Sequence, residues 1–116
     1  MHFSVRQEAE SSMVREIDVW EYARAHLGDG LLIDLRDEIV FGHGTIPGAV
    51  NIPLERIREL YRLPKDRNVY LLCQSGDISR EMAELLTDLG YNAFNLAGGY
   101  REYLRHCMAD DEPDKP

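Results

Sequence analysis

The sequence predicts an α/β fold: a small parallel β-sheet with helices on both faces. Two observations carry that expectation. Short apolar runs at 31–35, 49–52, 69–72 and 92–96 alternate with segments whose apolar residues recur at helical spacing. Parallel strands need crossovers of that kind. The run Val69-Tyr70-Leu71-Leu72 is also unbroken, as a strand covered on both faces must be.

The elements follow in order. Residues 1–15 are mixed polar and are expected to form an irregular lead-in. Asp18 can cap a helix that carries Trp20, Ala23 and Leu27 on one face, and Gly28-Asp29-Gly30 stops it. A strand at 31–35 is interrupted only by Asp34 near its carboxyl end. After a polar break, Pro47-Gly48 marks a turn into a short strand at 49–52. Pro53 or Leu54 opens a helix with Leu54, Ile57, Leu60 and Tyr61 facing inward, ending before Pro64. Lys65-Asp66-Arg67-Asn68 reads as an exposed turn into the strand at 69–72. Met82, Leu85, Leu86 and Leu89 form the i, i+3, i+4, i+7 stripe of an amphipathic helix, with Gly90 as its C-cap. A strand at 92–96 and a Gly98-Gly99 turn lead to a last helix with Tyr100, Tyr103, Leu104 and Cys107 on one stripe. The domain is expected to span 16–107, and the acidic 108–116 to be disordered.

Composition narrows the function. The chain has 116 residues, enough for one core without staples. It has no internal repeat and no low-complexity segment. Its net charge of −8 argues against nucleic acid or an anionic membrane as partner. Cys73 and Cys107 are its two cysteines, too few and too far apart for a disulfide framework or a clustered metal site. Neither a signal-peptide core nor a run of the ~20 apolar residues that span a bilayer is visible, so a cytoplasmic protein is expected.

The chemistry is expected where the 69–72 strand ends. Cys73 opens the loop Cys73-Gln74-Ser75-Gly76-Asp77-Ile78-Ser79 ahead of a helix, at the carboxyl end of a central strand, where open α/β sheets place ligands. A reactive thiolate needs local positive potential. Loop amides turned inward, together with the positive end of the following helix, supply it. Gly76 suits a loop that curls its amides round one atom. Ser75 and Ser79 add hydroxyl donors, and Asp77 or Ser79 can cap the helix. Free cysteine is also among the most buried residue types, so position alone fits inert packing equally well. His2, His26, His43 and His106 stand at no diagnostic spacing from Cys73. His43 lies in a loop that can approach the site, but surface or capping roles are the ordinary reading of a lone histidine.

These residues resemble the rhodanese-like sulfurtransferase family. The Cys73–Ser79 loop between strand and helix is similar to its active-site loop. Leu32-Ile33-Asp34-Leu35-Arg36 resembles its Asp-x-Arg signature, and Gly44-Thr45-Ile46-Pro47-Gly48-Ala49 its Gly-His-Ile-Pro-Gly-Ala segment. Leu96-Ala97-Gly98-Gly99-Tyr100 resembles its closing Gly-Gly turn. The stretch from Leu54 through Tyr100 is also similar to the rhodanese domains appended to coenzyme A disulfide reductases. No flavin-binding fingerprint accompanies it here.

The resemblance implies that Cys73 accepts a sulfane sulfur as a persulfide and passes it to a thiol or cyanide-like acceptor. The donor would be a small sulfur compound or a protein persulfide, with no metal or organic cofactor. Gln74, Ser75, Gly76, Asp77, Ile78 and Ser79 would form the binding loop, with Asp34, Arg36 and Arg80 in support. A sulfur-carrier or interaction module of the same fold, without turnover of its own, is the alternative. Three departures bear on the donor. Ile78 stands where many members carry Arg, Asp77 adds a carboxylate, and Thr45 replaces the usual His. The first two disfavour thiosulfate. Phosphatase relatives place Arg after five intervening residues, whereas six separate Cys73 from Arg80, so phosphoester hydrolysis is not expected. Cys107 lies on an apolar helical stripe, which favours packing over a relay role.

Overall fold

A computed structural model of the chain describes residues 14–110. The elements are β1 (Arg15–Asp18), α1 (Val19–Ala25), β2 (Leu31–Asp34), α2 (Glu38–Gly42), β3 (Val50–Asn51), a 3₁₀ segment (Leu54–Arg62), β4 (Asn68–Leu72), α3 (Asp77–Asp88), β5 (Asn92–Ala97) and α4 (Gly99–Asp110). The strands form one sheet in the order β1-β5-β4-β2-β3, and every pairing is parallel. The chain is thus α/β, as its alternation predicts.

Strand β4 is central because its residues are apolar on both faces: Val69, Tyr70, Leu71 and Leu72 are all buried. The alternation of the pleat sends Val69 and Leu71 to one core with Ile33, Leu60, Leu86 and Ala93. Tyr70 and Leu72 go to the other, with Val19, Tyr22, Leu32 and Leu96. Tyr70 lies between Tyr22 and Phe94, with ring centroids 4.7 and 5.0 Å away.

Several elements depart from expectation. The lead-in expected at 1–15 gives way at Arg15 to β1, whose edge pairing with β5 holds a polar sequence in strand form. Residues 1–13 of that lead-in lie outside the described residues. At the other end α4 continues through Asp110, past the predicted boundary at 108, and the remainder of the tail is likewise outside. Asp18 does cap α1, its carboxylate accepting from the Trp20 and Glu21 amides at 3.1 Å. The buried face of α1 is nevertheless Val19 and Tyr22, and Leu27 is exposed. The polar break after β2 contains α2, one short turn capped by Asp37 and too brief to show an apolar stripe. The predicted helix after Pro53 is a 3₁₀ segment interrupted by non-helical backbone at Arg56; Leu60, beyond that kink, is buried, while Leu54, before it, and Tyr61 are exposed. Helix α3 begins at Asp77, and its buried line is Ser79, Ala83 and Leu86, one step round from the predicted stripe.

Candidate active site

Cys73 follows the last residue of β4 and is buried. Its Sγ accepts hydrogen bonds from the backbone N–H of Gly76 at 3.1 Å and of Ser79 at 3.3 Å. Ser79 Oγ stands 3.2 Å from the same sulfur. The loop can close this tightly because Gly76 has φ of +97° and is itself the N-cap of α3. Neither Asp77 nor Ser79 caps the helix, contrary to expectation. Asp77 is exposed in the first turn, and Ser79 is fully buried against the sulfur.

Ser79 leads into a chain of polar contacts that crosses the sheet. Its hydroxyl donates to Asn95 Oδ1 on β5 at 2.5 Å. Asn95 Nδ2 donates to Glu16 Oε2 on β1 at 3.0 Å, and Arg80 Nη1 donates to that oxygen at 2.6 Å. The Asn95 hydrogen bond, and then Arg80, hold the Glu16 carboxyl below its ordinary value, against some desolvation. Arg80 is thereby turned to β1 and away from the sulfur.

The Gly-Gly turn braces the loop from below. Tyr100 N–H donates to the Cys73 carbonyl at 2.9 Å and Arg101 N–H to the Gln74 carbonyl at 3.1 Å. Gly99 fits because a Cβ there would lie 2.6 Å from the Cys73 carbonyl oxygen.

Asp34 and Arg36 form a buried pair, Nη2 to Oδ2 at 2.8 Å. Arg36 also donates to the Gly44 carbonyl at 2.6 Å, reaches Gln74 Oε1 at 3.4 Å, and lies 4.1 Å over the Tyr100 ring. Thr45, in place of the family's His, donates to Asp34 Oδ2 at 2.7 Å. With these partners the pair clamps the β2–α2 connection to the loop floor.

Beside Cys73 opens a pocket of about 350 Å³. Leu35, Val40, Leu54 and Ile78 give it an apolar wall, and Gln74, Ser75, Arg36 and Asp37 complete the lining. The predicted loop residues therefore divide. Gln74, Ser75 and Ile78 line the pocket, Gly76 and Ser79 hold the sulfur, and Asp77 does neither. His43 is not in that lining; its Nδ1 donates to the Ile39 carbonyl at 2.8 Å. Cys107 is half-buried on α4. Asn95, Glu16 and Tyr100 were not read as site residues from the sequence. A polar Asn within an otherwise apolar buried strand was the available signal for the first.

The sequence pattern of the rhodanese-like domain matches residues 19–106. The chain is 36% identical over 106 residues to a sulfurtransferase of Allochromatium vinosum, covering 88% of this chain and 99% of that protein. It is a member of the rhodanese-like domain family. A thiosulfate:glutathione sulfurtransferase of Homo sapiens is 33% identical over 93 residues, 66% of this chain and 81% of that one. Among solved structures, reduced CoADR-RHD of Bacillus anthracis superposes with a TM-score of 0.70 at 34% identity. That match covers 78% of this chain but 16% of the larger protein, so the likeness is to one part of it. This rhodanese-like domain thus groups with sulfurtransferases. No helix among its described residues is long and apolar enough to cross a membrane.

Proposed function

We propose that this rhodanese-like domain is a sulfurtransferase that carries sulfur as a persulfide on Cys73. The observation that carries the reading is the placement of Cys73 Sγ, held by two loop amides and bordering a pocket. Amide donors suit a sulfur that becomes negative, because they stabilise the charge without giving up a proton. The Cys73 thiolate attacks the outer sulfur of a persulfide donor R–S–SH. The donor's S–S bond breaks, R–S⁻ leaves, and Cys73–S–SH forms. An acceptor thiolate then attacks that outer sulfur, takes it as a new persulfide, and returns the Cys73 thiolate. Sulfur is neither oxidised nor reduced overall.

The pocket favours a donor of low charge. Arg36, the cation in its lining, is committed to Asp34, Gly44 and Gln74. Arg80 is paired with Glu16, Ile78 offers no charge, and Asp37 adds a negative one. A persulfide on a small thiol meets apolar walls without needing a free cation, whereas dianionic thiosulfate would. A missing charge-assisted hydrogen bond of about 1.5–3 kcal/mol corresponds to about tenfold or more in rate. Glutathione persulfide is therefore expected to load the protein at least about tenfold faster than thiosulfate. Wild type and Cys73→Ala are incubated with each donor, and the protein mass is followed for the gain of one sulfur atom. Loading of wild type alone is expected. Loading of Cys73→Ala would sink the site, and loading of neither protein would leave a module without sulfur chemistry.

A further inference from the structure

Ser79 has one hydroxyl proton and two acceptor lone pairs. Two neighbours compete for that proton, Asn95 Oδ1 at 2.5 Å and Cys73 Sγ at 3.2 Å. Which way Asn95 faces decides the contest, and Glu16 decides which way Asn95 faces. A carboxylate only accepts hydrogen bonds, so the amide nitrogen must turn to Glu16 and the carbonyl oxygen to Ser79. The Ser79 proton then goes to Asn95, and its free lone pair faces the sulfur. A neutral thiol fits that lone pair, since S–H can donate to it. A thiolate does not, unless the hydroxyl leaves Asn95 and turns to the sulfur. Ser79 and Asn95 are both almost wholly buried, so water does not readily replace either partner.

We infer that Asn95, oriented by Glu16, is a positioning residue that acts through Ser79 to keep Cys73 protonated until the hydroxyl turns. The inference rests on the proposal that Cys73 is the reacting group, and it adds a control on when that group is ionised. The arrangement suits a persulfide carrier, because a cysteine resting as a thiol is spared oxidation and alkylation between turnovers.

Other charges around Cys73 come from each neighbouring element. The β2–α2 connection brings Arg36, paired with Asp34, and Asp37 at the pocket. Helix α3 brings exposed Asp77 and Arg80, α4 brings Tyr100 and Arg101, whose amides bond the loop, with Glu102 after them, and β1 brings Glu16, which Arg80 neutralises. Replacing Asn95 alters none of these charges.

The test is the pH dependence of iodoacetamide alkylation, measured without any sulfur donor in a Cys107→Ser background so that Cys73 is the sole thiol. Asn95→Leu removes the competing acceptor and keeps the branching of the side chain, at a somewhat larger volume. Its alkylation midpoint is expected to fall by about one pH unit, about tenfold more thiolate below the midpoint. Glu16→Gln, on a half-exposed edge strand, lets the Asn95 amide take either orientation and is expected to shift the midpoint the same way by less. Both shifts are expected to vanish in a Ser79→Ala background. A plain charge effect of Glu16 would survive there and would overturn the inference, as would an unmoved midpoint in the Ser79-containing variants. If Asn95→Leu does not fold, Glu16→Gln with and without Ser79 decides alone. Sulfur loading is a separate readout, so its failure would remove the transferase reading while leaving the titration result to stand or fall by itself.

Discussion

At the scale of single residues, the site depends on positions where only one side chain fits. Gly99 has φ of +66°, and an added Cβ would lie 2.5 and 2.6 Å from the Gln74 and Cys73 carbonyl oxygens. Both atoms are backbone of the loop, so neither can swing aside. Gly99→Ala is expected to cost more than about 1 kcal/mol in denaturant unfolding and to disturb Cys73 alkylation. An unchanged unfolding midpoint would show that the Gly-Gly turn does not brace the loop. Ser79 illustrates what a sequence conceals at this scale. Its hydroxyl was legible as a donor near Cys73, but its partner Asn95 lies 16 residues away on another strand.

At the scale of elements, a break in a segment's backbone decides which of its residues matter. The 3₁₀ segment directs Leu60 into the core and leaves Leu54 exposed at the pocket. Leu60→Ala is expected to destabilise by about 2–5 kcal/mol, and Leu54→Ala to leave stability nearly unchanged while altering donor preference. Equal loss of stability in the two variants would contradict the observed burial. The sequence predicts both leucines inward because Leu54, Ile57, Leu60 and Tyr61 fit one face of an unbroken α-helix. Nothing in those four residues marks the kink at Arg56. Helix α2 is not predicted for a related reason, since five residues carry too little pattern.

At the scale of the whole molecule, the strand order joins the edge strand to the reactive loop. Strands β1, β5 and β4 are neighbours: Glu16 lies opposite Asn95 and Asn95 opposite Leu71, and Ser79 of α3 carries the contact from Asn95 to Cys73, two residues beyond Leu71. Glu16 also links that line to acid stability. Its folded pKa lies below the ordinary 4.5, through Asn95 first and Arg80 after it. Its contribution is therefore present above the ordinary carboxylate range and is lost as pH falls through the lowered value. The stability gap between wild type and Glu16→Gln should be present at neutral pH and close on acidification. A gap that persists in acid, followed by circular dichroism, would exclude ionised Glu16 as its source.

The sequence by itself determined the α/β class, the family, and the place of Cys73 at the end of a central strand. Each rests on local pattern: apolar runs, glycine turns and motifs read within a few residues of one another. The tertiary structure alone decided what surrounds the sulfur. It turned Arg80 to Glu16, committed Arg36 to Asp34, and brought Asn95 to Ser79. Those contacts join residues distant in the chain, and a side chain's partner there is set by strand order and register, which local pattern does not specify.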